Sequence, residues 1–480
     1  MQNNFNNKIM NATKWSVVAE ITAKIAGPVI NIILARLLTP SEFGVVASIT
    51  IITSLADIFT DAGFQKFVVQ HEFDNDDILN KYSDVAFTSN AVLSVIIYCI
   101  IFGFRRGLAS AIGCPEAYNG LSIAALAVLC TSFSSISIAR FRRELNFKPL
   151  FYIRFGSSLI SLFVTVPLAF VLRSYWAIVI GTVFQQFFIA VLSVGLSKYK
   201  PKVIMNIKMF SDMVSFSLWN LMETLSIWFA GQANIFIVAS ALNPYYLGLY
   251  KTGMSTINSY MSIITAAVTP VLFTALSRQQ NDRATYIGTF NKFQKMIAIL
   301  VFPMGVGIFL YRDLAVQLLL GLQWIEVSDF MGLWAVMSAL TITFSNMASE
   351  VYRSMGRPKI SFLLQMVYLV IYVPVIYISA HNNFAILCFA GSIVRIVPIF
   401  LDFITLNMKF GISFRNIIKN TYIQFVAVAL MTIVVFSCQR ILGGIVWQII
   451  SILICAVFYF AVLLLSPSMR KEISSIKNMI

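Results

Sequence analysis

Long apolar stretches alternate with short polar ones along the whole chain. Each apolar stretch runs for roughly 20 residues, the length an α-helix needs to cross the hydrocarbon core of a bilayer. The spans centre near Gly27, Thr53, Val95, Leu129, Phe163, Phe184, Phe229, Met261, Val301, Ala339, Ile371, Ala390, Leu430 and Leu453. The connections are short, and no soluble domain fits between any two spans. The pattern predicts an all-α polytopic membrane protein of about fourteen transmembrane helices. The first 14 residues are polar and Asn-rich, and the first span lacks the short apolar core and small-residue cleavage site of a secretion signal. That span is expected to serve as an uncleaved anchor.

Composition agrees with the pattern. The 480 residues are 59% hydrophobic and 11% charged, with mean hydropathy +0.82, whereas soluble domains average about 25% charged residues. The net charge of +15 would suggest nucleic acid in a soluble protein. Here the basic residues sit between spans and no aromatic-basic nucleic-acid motif occurs, so they read as topology signals. With the N-terminus inside, 26 Lys and Arg fall on inside segments and 7 on outside ones. Lys24 and Arg395 lie within spans. A missed or extra span would scramble this alternation, so the split predicts that both termini are cytoplasmic. The six cysteines show no metal or disulfide spacing and read as packing residues.

A repeat is visible at an offset of 204 residues. Trp15, Ala26, Gly27, Ile33, Ala35, Leu38, Pro40 and Gly44 fall on Trp219, Ala230, Gly231, Ile237, Ala239, Leu242, Pro244 and Gly248. The offset spans six helices, so the two halves share one orientation about an axis along the membrane normal. This predicts a lobe at 1–200 (spans 1–6), a lobe at 205–408 (spans 7–12), two extra spans at 415–466, and a cytoplasmic tail at 467–480.

A charge at the bilayer centre costs roughly 2.5–3.5 kcal/mol on insertion scales, so polar groups inside spans are expected to face a cavity or a partner. Span 1 carries Ser16, Glu20, Lys24, Gly27 and Asn31 on one face, with Glu20 and Lys24 spaced as an i,i+4 ion pair. Pro28 predicts a kink or hinge there. Span 2 carries Thr50, Ser54, Asp57 and Asp61 on one face. Two carboxylates one turn apart in low dielectric repel, so one is expected to hold a proton. Span 7 carries Asn220, Glu223 and Asn234, and span 8 carries Ser255, Ser259, Ser262 and Thr265. The polar stripes fall on equivalent helices of both halves. A water-filled cleft lined by spans 1, 2, 7 and 8 accounts for them most simply, although Ser and Thr stripes also glue helices together. Arg395 in span 12 reads as a buried cation with Asp402 two turns later on its face. The basic stretches 140–154 and 198–210 are expected to lie on the anionic cytoplasmic leaflet.

Several blocks resemble a known family. Leu34–Gly44 (LARLLTPSEFG), Asp61–Gln70 (DAGFQKFVVQ), Arg142–Lys148 (RRELNFK), Leu242–Gly253 (LNPYYLGLYKTG) and Pro270–Arg278 (PVLFTALSR) are similar to the Wzx-type oligosaccharide flippases. These belong to the multidrug/oligosaccharidyl-lipid/polysaccharide (MOP) exporter superfamily. The resemblance covers about residues 10–465. It implies two six-helix lobes, a central cavity and two extra helices. It also implies a substrate, an undecaprenyl-pyrophosphate-linked oligosaccharide unit moved from the cytoplasmic to the periplasmic leaflet of the bacterial inner membrane for lipopolysaccharide O-antigen or exopolysaccharide synthesis. Where family members often carry an acidic residue in the seventh helix, this chain has Asn234.

Under that resemblance a cation must meet the pyrophosphate, because burying an unpartnered polyanion is prohibitive. Lys24 is the first choice, with Arg36 and Lys251 near the outer mouth. Asn31, Asn258, Ser259 and Ser262 are expected to contact sugar, and Glu20, Asp57 and Asp61 to bind H⁺ or Na⁺ for coupling. No other cofactor or metal is expected. The polymerase and chain-length regulator of the same pathway are candidate partners that no motif shows. A cation-coupled multidrug antiporter of the same superfamily is the nearest alternative. A membrane enzyme of the O-antigen polymerase type is more remote, since the outer connections are short and the chain has only two histidines.

Overall fold

The computed structural model describes residues 26–61, 63–441, 444–466 and 469–470. All regular structure among them is helical. Among the described residues, twelve helices are long and apolar enough to cross a membrane, or thirteen when a bent pair in Pro244–Arg278 is counted as one span. A shorter apolar helix, Ala26–Leu37, covers the described part of the first expected span. All fourteen expected span centres fall on helices, and the chain is a multi-pass membrane protein.

Contacts divide the chain into two compact units, Met1–Lys251 and Thr252–Ile480. The first holds α1 (Ala26–Leu37), α2 (Pro40–Asp61), α3 (Phe64–Gln70), α4 (Asp76–Ala111), α5 (Tyr118–Ala124), α6 (Leu126–Arg143), α7 (Phe147–Ile160), α8 (Val166–Leu172), α9 (Trp176–Leu196) and α10 (Ile207–Ala241). It ends within α11 (Pro244–Arg278). The repeat boundary near residue 200 is a division by sequence. The contact boundary falls later because α10 packs on α2, α3 and α4. At the centre of this unit α6 packs on α2, α3, α4 and α9. Ile136, Ala139 and Val128 of α6 are wholly buried, whereas Phe163, Phe170 and Val171 near α8 are exposed and face where lipid would be.

The second unit holds the rest of α11, then α12 (Arg283–Leu310), α13 (Arg312–Leu319), α14 (Ser328–Thr341), α15 (Met347–Ser354), α16 (Pro358–Asn382), α17 (Phe384–Ile393), α18 (Ile396–Phe410), α19 (Phe414–Ile441) and α20 (Ile445–Leu465). The span containing α14 and α15 is its most buried. A shift of 204 residues carries α6 onto this span, so equivalent positions of the repeat supply the centre of each unit. The extra spans α19 and α20 pack on each other and on α12. The bend in α11 is 41° and lies next to Pro270, which lacks the backbone donor that would bond to Ala266.

The start of each repeat's second span is built the same way. Pro40 and Pro244 each open a helix, the position where a missing N–H is harmless. Thr39 Oγ1 accepts from Glu42 N at 3.4 Å, and Asn243 Oδ1 accepts from Tyr246 N at 3.1 Å. The two starts then meet reciprocally. A Cβ on Gly44 would lie 1.7 Å from the Pro244 carbonyl oxygen, and one on Gly248 would lie 1.8 Å from that of Pro40. Glu42 Oε2 accepts from Ser174 Oγ at 3.3 Å and from the Tyr175 amide, which ties α2 to the turn before α9. Thr39, Pro40, Glu42 and Gly44 of the TPSEFG block thus each have a structural task.

The basic blocks are turned toward protein more than the sequence suggests. Arg143, at the end of α6, donates to the carbonyl oxygens of Val68 (2.9 Å), Val69 (3.3 Å) and His71 (2.6 Å), capping α3. The extended segment 197–206 is strapped onto α4. Asp84 Oδ1 accepts from Tyr199 Oη at 2.5 Å and from Lys202 N at 3.0 Å, and Thr88 Oγ1 accepts from Ile204 N at 3.0 Å. Burial and the Asp84 carboxylate push the Tyr199 pKa up. Val203 and Ile207 remain exposed beside this anchor.

Replacing Gly44 or Gly248 with Ala is expected to cost about 1–3 kcal/mol, because backbone must move. Gly103→Ala, where a Cβ meets nothing within 4 Å, is expected to gain about 0.5–1 kcal/mol. Thermal unfolding of the purified variants separates the two. Asp84→Ala removes charge-assisted bonds worth about 1.5–3 kcal/mol each. Tryptic cleavage after Lys198 and Lys202 should then accelerate by about tenfold or more.

Candidate functional site

The N-terminal unit contains a polar cavity of about 360 Å³ lined by residues of α2, α3, α4, α6 and α10. Asp57 contributes the carboxylate among its described lining residues. The apolar stripe of α2 buries Ile49 and Ala56 against the core, which turns Asp57 toward α6. There Thr131 Oγ1 donates to Asp57 Oδ1 at 3.1 Å. On α4, Asn90 Nδ2 donates to Ser135 Oγ of α6 at 3.1 Å, and one turn on Ser94 Oγ donates to Ser132 Oγ at 3.2 Å. Gln65 and Lys66 of α3 complete one side, and Leu221 and Thr224 of α10 another. Trp228 Nε1, one turn beyond Thr224, donates to Ser54 Oγ at 3.0 Å and locks α10 against α2.

The remaining sequence-derived candidates fall elsewhere. Glu20 and Lys24 lie outside the described residues, as do the side chains of Asp61, Asn220 and Glu223. Asn31 and Arg36 are exposed on α1, and Lys251 is half-buried on α11; none of the three lines the cavity. In the second unit, Asn258 Oδ1 accepts from Trp334 Nε1 at 3.0 Å. Ser259 and Ser262 bond to carbonyls of their own helix, those of Ser255 and Ser259, each at 2.7 Å. Thr50 and Ser54 do the same on α2. The hydroxyl stripes thus satisfy their own protons locally.

Arg395 and Asp402 do not form a pair with each other. Arg395 sits at the break between α17 and α18, donates to Ser338 Oγ at 2.8 Å, and lies 4.1 Å over the Trp334 ring. Asp402 accepts from Ser345 Oγ at 2.5 Å and Tyr352 Oη at 2.9 Å. Helical spacing placed the two on one face. The break at residue 395 rotates that face, so each meets a different neighbour.

Sequence reasoning missed the α4 and α6 sides of the cavity. The signal was present: Ser83, Asn90 and Ser94 recur at helical spacing in α4, and Thr131-Ser132 with Ser134-Ser135 interrupt an otherwise apolar α6.

Comparisons with known proteins agree with this architecture. The family described as "Polysaccharide biosynthesis protein" matches residues 33–329, more than half of the chain. The chain is 22% identical over 468 residues to an uncharacterized membrane protein in the cps region of Klebsiella pneumoniae, covering 96% of both chains. It is 21% identical over 445 residues to the lipopolysaccharide biosynthesis protein WzxC of Escherichia coli (strain K12), covering 91% of this chain and 89% of that one. Among solved structures it resembles the lipid II flippase MurJ in an inward closed conformation. The TM-score is 0.74 at 13% identity, covering 94% of this chain and 98% of that one. An inward-facing MATE-family multidrug resistance transporter of the MOP superfamily gives a TM-score of 0.59 at 14% identity, with 81% and 94% covered. At such identities the structural likeness is one of fold. The family match is independent of it, and with the helical spans it identifies the chain as a multi-pass membrane protein of the polysaccharide biosynthesis protein family.

Proposed function

We propose that the chain flips lipid-linked oligosaccharide repeat units, carried on undecaprenyl pyrophosphate, across the bacterial inner membrane for lipopolysaccharide or exopolysaccharide synthesis. The observation that carries this reading is the family match over residues 33–329. Relatives named for lipopolysaccharide biosynthesis and for succinoglycan biosynthesis transport support it, as does a fold like that of a lipid II flippase. In this reading the protein is a transporter, with both termini cytoplasmic.

Translocation works by alternating access, the two repeat halves rocking about a central substrate site. Lys24 meets the pyrophosphate, with Arg36 and Lys251 assisting, because a polyanion leaving water needs a cationic partner. Asn31, Asn258, Ser259 and Ser262 contact sugar hydroxyls. Glu20, Asp57 and Asp61 are the candidates for coupling to H⁺ or Na⁺. The polymerase and chain-length regulator of the pathway act on the product and are candidate partners.

Deletion of the gene should trap single lipid-linked repeat units on the cytoplasmic leaflet, read by leaflet-selective labelling and mass spectrometry. Single units trapped on the periplasmic side would assign the chain to polymerisation instead. No accumulation in an otherwise active pathway, together with raised drug sensitivity, would favour the multidrug antiporter. Lys24→Ala should lower export by at least about tenfold, the factor that losing about 1.4 kcal/mol produces, at unchanged expression. Full export in that variant removes Lys24 from the mechanism. A reporter fused after Ile480 should be active only when it is a cytoplasmic one.

A further inference from the structure

The strap between α9 and α10, residues 197–206, is held to protein on one side and open on the other. α9 has 21 residues, a length of about 31 Å, which matches the hydrocarbon core of a bilayer at about 30 Å. The strap therefore begins where the core ends, at the level of the lipid headgroups. Its backbone is extended, so successive side chains point to opposite sides. Ser197 and Tyr199 are buried, whereas Lys198, Lys200 and Lys202 are exposed. Asp84 and Thr88 of α4 hold the inward side, through the Tyr199 hydroxyl and the amides of Lys202 and Ile204.

The three lysines thus share an outward edge, about 7 Å from one to the next. Lys200 Nζ donates to Val194 O at 3.1 Å, at the end of α9 where a cation is favoured. The ammonium groups of Lys198, Lys202 and Lys208 have no hydrogen bond or ion pair among the described residues. Beyond Lys202 the exposed side chains turn apolar. Val203 is 83% exposed, Met205 54% and Ile207 81%. A single exposed aliphatic side chain is ordinary. Three at alternate positions, beside lysines and at headgroup depth, make an amphipathic strip whose apolar groups suit the acyl boundary and whose cations suit phosphates. The anchors on α4 add to this. The backbone is already pinned, so binding orders little more than the lysine side chains, and such preorganisation lowers the cost of binding.

We propose that the strap and the first turn of α10 form a docking site for anionic phospholipid headgroups. Lys198, Lys202 and Lys208 hold the phosphates, and Val203, Met205 and Ile207 insert at the acyl boundary. A zwitterionic headgroup brings no net charge to meet the ammonium groups, so the site selects for anionic lipid. The inference rests on the membrane spans and the strap, not on the cargo, and its test uses no lipid-linked substrate.

The test is acetylation of individual lysines in the full-length protein, read by mass spectrometry. The protein is reconstituted into lipid discs of phosphatidylcholine alone or in an equal mixture with phosphatidylglycerol. Discs expose both faces, so orientation does not matter. Lys359 and Lys409, exposed outside the strap, report the diffuse surface potential. Phosphatidylglycerol should slow acetylation of Lys198, Lys202 and Lys208 by about fivefold more than that of Lys359 and Lys409, the factor that about 1 kcal/mol per lysine produces. Val203→Ser combined with Ile207→Ser, at positions where no packing is lost, should remove most of this excess. Thr88→Val, which deletes one anchoring bond, should reduce it as well. Equal slowing of all five lysines would mean surface potential only, and would overturn the proposal. Equal acetylation in the two bilayers would overturn it too, as would an excess that survives both variants. If the excess appears while gene deletion traps no lipid-linked unit, the docking site stands and the flippase reading falls.

Discussion

The geometry of the N-terminal unit depends on a backbone-on-backbone contact. The carbonyl oxygens of Pro40 and Pro244 occupy the places where side chains on Gly248 and Gly44 would begin. Side chains can yield by changing rotamer, but two backbones held at this separation cannot. The contact therefore fixes the start of α2 against the start of α11. Because α2 is one unbroken helix, fixing its start also fixes Asp57 near its other end. Glu42, reaching Ser174 and Tyr175, extends the constraint to α9. The repeat places the same Pro-x-x-x-Gly device at the start of α2 and at the start of α11.

A second principle governs the polar groups. In a bilayer, water is not available to satisfy them, so each must find a partner within the protein. Most hydroxyls do so on the carbonyl one turn back in their own helix. The buried carboxylates are more selective. Asp84 anchors the strap between α9 and α10, and Asp402 holds Ser345 and Tyr352. Each accepts from two donors and reads as structural. Asp57 differs: it has one donor, Thr131, and opens onto a cavity. A carboxylate left partly free beside an orphaned amide oxygen is a place where the fold forgoes stability, and such places tend to be functional.

The fold is shared with transporters of different cargo, so fold by itself does not select a substrate. Family membership does more, since relatives matched along most of the chain carry polysaccharide names. Basic residues also divide into two kinds. Arg143 and Arg140 are consumed in holding α3 and α4 to α6. The lysines of the strap, by contrast, keep their charges exposed.

Much of this was legible in the sequence. Span number, the repeat and the polar face of α2 follow from apolar length and helical period, which are local properties that the bilayer enforces strongly. The motif TPSEFG could be recognised, but not why its glycine is needed, because Pro244 lies 200 residues away. The short helices α3 and α13 escaped notice, being too brief to carry a period. The α4 and α6 walls of the cavity were visible as polar interruptions, yet nothing local said that Asn90 and Thr131 share a cavity with Asp57. Arg395 and Asp402 mark the same limit: spacing put them on one face, and a break between α17 and α18 sent them to different partners. The sequence by itself determined which segments enter the membrane and which of them correspond, because hydrophobicity and period act residue by residue. The tertiary structure alone decided which polar groups are saturated and which remain open, because that depends on partners brought together from distant parts of the chain.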